Sequence, residues 1–192
     1  MQIELGGSGV ALEGDENPIA EAALAALLTN GGLSARPETA DVLLVSCGLL
    51  PDAVDMALGP KLQTAKQAAV AMAARGQGRI LFLLSAIAGM PMRRHPDFSA
   101  GNAGLVGGMR TLAMEFGPSV LVNAVGFGLI GQGETVSSGD AAQLSHVPLG
   151  RPGTLTEAVA AVLFLCDPEN SYTTGQLLSV DGGWTAGYGR NF

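Results

Sequence analysis

Apolar residues in this chain alternate between two kinds of run. Short ones at residues 3–5, 42–45, 80–84, 120–125 and 177–180 carry Gly, Pro or Asp near their ends. Continuous apolar runs of that length predict parallel strands covered on both faces. Longer runs with helical spacing lie between them. Residues 19–28 follow Pro18, 60–75 precede Gly76, 99–116 precede Gly117-Pro118, and 155–165 precede Asp167-Pro168. Proline in the first turn and glycine or proline past the last are helix start and stop signals. Strand and helix in alternation predict an α/β, Rossmann-like open parallel sheet of about five strands with right-handed crossovers.

The helix around residues 98–116 has an apolar stripe of Leu105, Met109, Leu112 and Phe116, and the rest of it is mostly Ala, Gly and Ser. Only Asp97, Arg110 and Glu115 are charged there, so the helix lacks a broad polar face. Gly107 and Gly108 adjoin in mid-helix, each costing about 1 kcal/mol relative to Ala. Close approach of another helix, from this chain or a partner subunit, would compensate, and the stripe is assigned to a subunit contact.

Composition narrows the classes. At 192 residues and 47% hydrophobic content the chain is read as one domain, 1–192, with a real core. With 17 acidic against 10 basic side chains the net charge is −7, which disfavours nucleic acid. Cys47 and Cys166 form no C-x-x-C pair, and only His95 and His146 accompany them, so neither a disulfide framework nor a metal site is expected. A reducing cytoplasm fits, with Cys47 as a small buried apolar residue. The greasiest stretch, residues 80–92, is broken by Ser85, Gly89 and Pro91 and falls short of the roughly 18 residues of a membrane span.

From Asp41 onward the motifs become specific. Pro148-Leu-Gly-Arg-Pro-Gly leads into Glu157-Ala-Val-Ala-Ala-Val-Leu-Phe-Leu-Cys, then Thr174-Gly-Gln and Val180-Asp-Gly-Gly-Trp184. Upstream stand Gly78-Arg-Ile-Leu-Phe-Leu-Leu-Ser85 and Val122-Asn-Ala-Val-Gly-Phe-Gly128. In this order they resemble the short-chain dehydrogenase/reductases over about 150 residues. The resemblance implies a catalytic serine at Ser85. It also implies a Tyr thirteen residues on and a Lys four beyond, but those positions hold Phe98 and Asn102, and the family's relay Asn falls at Ala57. A phenyl ring donates no proton, and a neutral amide does not lower a neighbour's pKa. No catalytic residue is therefore assigned, and Ser85 is read as a relic.

The resemblance also implies a glycine-rich turn that cradles pyrophosphate after the first strand. No G-x-x-x-G-x-G occurs; Gly6-Gly7-Ser8-Gly9 is the only candidate, and Glu13, Asp15 and Glu16 follow it. Only 40 residues precede Asp41, so against the family a shortened nucleotide-binding half is expected. The family's Asn-Asn-Ala-Gly reads Val45-Ser46-Cys47-Gly48, and its Pro-Gly reads Phe127-Gly128. This chain is expected to bind no cofactor, with NAD held by a partner.

Arg93-Arg94-His95 falls in what would be the substrate-side loop, either gripping an acidic substrate or standing as a solvated basic loop. Three functional classes follow. The first is a non-catalytic subunit, structural or regulatory, in a heterodimer or heterotetramer with an active paralogue, its contact formed by Leu105, Met109, Leu112 and Phe116 together with Trp184, Tyr188 and Phe192 of the tail. The second is a cofactor-independent enzyme of lyase or dehalogenase type. The third is a homo-oligomeric metabolite-binding protein.

Overall fold

A computed structural model describes residues 1–51, 57–131 and 144–187. The strands are β1 (Gly9–Gly14), β2 (Leu33–Ser34), β3 (Val42–Ser46), β4 (Gly78–Ser85), β5 (Val120–Phe127), β6 (Ile130–Gly131), β7 (Gly153–Thr154) and β8 (Leu177–Val180). The helices are α1 (Pro18–Thr29), α2 (Leu58–Arg75), α3 (Pro96–Phe116) and α4 (Leu155–Cys166). Six strands form one sheet in the order β2-β1-β3-β4-β5-β8, every pair parallel. The Rossmann-like architecture is the expected one, with one strand more than the sequence pattern predicts. Among the described residues no helix is long and apolar enough to cross a membrane.

The period of two along each strand divides the core between two faces. Leu43 and Val45 of β3, with Ile80, Phe82 and Leu84 of β4, pack under α2 and α3. Val42 and Leu44, with Leu81 and Leu83, pack under α1 and α4. Side-chain caps fix where the outer helices begin. Asn17 Oδ1 accepts from Ala20 N–H at 2.9 Å ahead of α1. Thr154 and Glu157 form a reciprocal capping box at α4.

Three expectations are corrected. Residues 3–5 are not a strand: Ile3 and Leu5 are buried, but their N–H groups donate to Asn30, at Oδ1 and the carbonyl oxygen, beyond the end of α1. The first strand is β1, whose apolar centre is bracketed by glycines. Two exposed residues form β2, too short to leave a pattern.

The third correction concerns α3. Leu105 and Met109 are fully buried and Leu112 nearly so, all in the chain's own core, with Phe116 half-buried against it. A Cβ on Gly108 would lie 2.4 Å from Leu62 Cδ2 of α2. The close approach inferred from the glycine pair is therefore made within the chain at Gly108, whereas a Cβ on Gly107 would meet nothing within 4 Å, and Leu105, Met109 and Leu112 are taken up by the chain's own core. Trp184 is half-buried beside a cavity described below, whereas Tyr188 and Phe192 lie outside the described residues.

Candidate functional site

Open parallel sheets bind ligands beyond the carboxyl ends of their strands. Here that edge runs through Gly14, Ser46, Ser85, Phe127 and Val180, and its two ends differ.

At the β1 end the chain binds itself. Gly14 has φ +109°, and a Cβ there would sit 2.1 Å from Ser46 O, so only glycine lets β1 leave the sheet so close to β3. Asp15 N–H donates to Ser46 O at 3.1 Å, and Asn17 Nδ2 donates to Ser46 Oγ at 2.7 Å. Lys61 of α2, only 8% exposed, reaches Asp15 Oδ1 at 3.1 Å. Burial pushes the neighbouring Cys47 thiol up to about 12, against the opposing pull of Lys61, so it stays protonated at neutral pH.

These residues do not fit a dinucleotide pyrophosphate. A helix N-terminus attracts phosphate through free N–H groups. At α1, Pro18 has no N–H, Asn17 already occupies that of Ala20, and Asp15 and Glu16 stand in front of the helix. Gly6-Gly7-Ser8-Gly9 does not lie here either. It precedes and opens β1, at the sheet's amino edge, where Gly6 and Gly7 take φ of +58° and +88° in a turn.

At the other end the edge opens into a cavity of about 570 Å³. Its walls are mainly apolar and include Ile87, Met92, Phe98, Phe127, Leu129 and Trp184. Ser85, 6% exposed, lines it from the end of β4, and its N–H donates to Asn102 Oδ1 at 3.2 Å. Asn102 is fully buried, and its Nδ2 donates to Phe98 O at 3.0 Å. Thus Asn102 ties the first turns of α3 to the tip of β4, while Phe98 gives the cavity a hydrocarbon surface. Ala57, with φ +33°, immediately precedes α2 and brings only a methyl group.

His95, at the N-cap of α3, lines the cavity, while Arg93 and Arg94 beside it are exposed. Arg94 has φ +75°, a left-handed conformation uncommon for a residue with a Cβ. The structure thus separates the basic triplet into one cavity residue and two solvated ones. Asp181 was not foreseen as a wall residue, although the Val180-Asp-Gly-Gly motif contains it. Its Oδ1 accepts from Gly183 N–H at 2.9 Å, and its Oδ2 accepts from Thr185 N–H at 2.9 Å and from the Thr185 hydroxyl. A Cβ on Gly128 would come within 2.7 Å of Asp181 Cα, so glycine is needed where β5 meets the tail. Among the described residues no group of three or more His, Cys, Asp or Glu could hold a metal ion. The arrangement can enclose an apolar molecule, but at the positions of Phe98 and Asn102 it can neither donate a proton nor supply a positive charge.

Comparison with known proteins agrees with this architecture. A family model described as enoyl-(acyl carrier protein) reductase matches residues 22–185. The 3-oxoacyl-[acyl-carrier-protein] reductase of Vibrio harveyi is 35% identical over 136 residues, 69% of this chain and 56% of that enzyme. The chain spans about half the length of the curated relatives it matches. Among solved structures, a short chain dehydrogenase from Leptospira borgpetersenii with bound NAD+ superposes with TM-score 0.75 at 19% identity, covering 95% of this chain and 94% of that one. An NADPH-bound short chain oxidoreductase from Pseudomonas aeruginosa, described as containing an atypical catalytic center, gives 0.72 at 23% identity, covering 94% and 98%.

Proposed function

Because this chain belongs to the short-chain dehydrogenase/reductase family, we propose that it is a non-catalytic member that assembles with an active, NAD-dependent relative into a heteromeric alcohol dehydrogenase. The carrying observation is the pair Phe98 and Asn102. The one is a wall of the cavity without a proton to give, and the other is committed to backbone groups on both sides. The occupied β1 end supports the same reading, and so does the short passage from β1 to β3, which contains only α1 and the two residues of β2. NAD is then held by the partner, in the cytoplasm, and this subunit has a structural or regulatory role. The narrowest form of the reading is a subunit resembling the inactive partner in the dehydrogenase that oxidises 2-[hydroxy(phenyl)methyl]succinyl-CoA with NAD in anaerobic toluene degradation.

The test is the purified chain with NADH and NADPH, alone and as the double variant Phe98→Tyr with Asn102→Lys. Neither form is expected to bind the dinucleotides or turn over ketones or alcohols. Saturable binding of either dinucleotide by the wild-type chain, or turnover by either form, would overturn the proposal. A second reading, a cofactor-free enzyme or a homo-oligomeric metabolite-binding protein, is favoured by one observation: His95, whose imidazole can accept or donate a proton, stands in the wall of a mainly apolar cavity.

A further inference from the structure

We draw no further inference here: the strongest candidate, the outward face of α3 on which Ala100, Ala103, Gly107 and Met114 stand exposed and a Cβ on Gly107 would meet nothing within 4 Å, carries nothing because nothing in the structure shows what covers it.

Discussion

The two ends of the sheet's carboxyl edge start from the same backbone plan and finish with opposite chemistry. Each has a glycine where two strand ends come too close for a side chain, Gly14 against Ser46 and Gly128 against Asp181. Beyond Gly14 the space is filled by the chain's own polar groups, namely the Asn17 cap, the Asp15–Lys61 pair and the Ser46 hydroxyl. Beyond Gly128 the described residues leave a cavity walled mostly by hydrocarbon. Strand pairing fixes where a site can form, and a few loop side chains decide whether a ligand or the protein itself occupies it.

That contrast can be broken from either side. Gly14→Val should have the largest effect, a loss of about 3 kcal/mol or more in urea unfolding, because it adds a side chain at φ +109° against a backbone oxygen. Wild-type stability in that variant would mean the β1 end is not closed as described. Lys61→Met should cost about 2–3 kcal/mol by leaving Asp15 half-buried without its cation, and adding Asp15→Asn should recover part of the loss in a double-mutant cycle. Strict additivity of the two changes would show that the pair does not couple. Asn102→Ala should cost about 1–3 kcal/mol, since it strips the Ser85 N–H and Phe98 carbonyl of their buried partner. An unchanged urea midpoint would remove Asn102 from its role as a tie between α3 and β4.

The smallest effect belongs to the rim of the α4 end. Hydrogen bonds from Arg151, then from Thr154 N–H, hold the Glu157 carboxyl at about 2, below its ordinary 4.5. A folded value below the unfolded one means that the contribution is complete above about pH 4.5 and is lost as pH falls toward 2. Glu157→Gln should therefore flatten that part of the acid limb of the stability profile and leave its shape near neutrality unaltered. An acid limb identical to wild type would show that the exposed ion pair contributes nothing measurable.

The interior was far more legible in the sequence than the edge. Residues 42–45, 80–84, 120–125 and 177–180 are all found in strands, because a parallel strand covered on both faces must be apolar along its length. Ile3 and Leu5 misled because burial alone does not make a strand, and their backbone is satisfied by Asn30 instead. The stripe on α3 was visible as apolar spacing, but spacing cannot tell a chain's own sheet from a partner. Leu62 against Gly108, a contact between residues far apart in the chain, shows how α3 packs within its own fold. At the site, Ser85, Phe98, Asn102 and His95 could be placed from motif spacing. Asp181 and Trp184 joined them only through the fold, since the end of β8 is brought beside the end of β5 by parallel pairing across more than fifty residues of sequence.

The most direct test of the account is the native mass of this protein purified from its own cells, with every co-purifying chain identified. The account predicts a stable complex with a full-length, NAD-dependent member of the same family, whose dehydrogenase activity persists when Ser85 of this chain is replaced by Ala. A homo-oligomer of this chain alone, or a complex that loses 100-fold or more of its activity with Ser85→Ala, an order typical of removing an acid–base group, would contradict it.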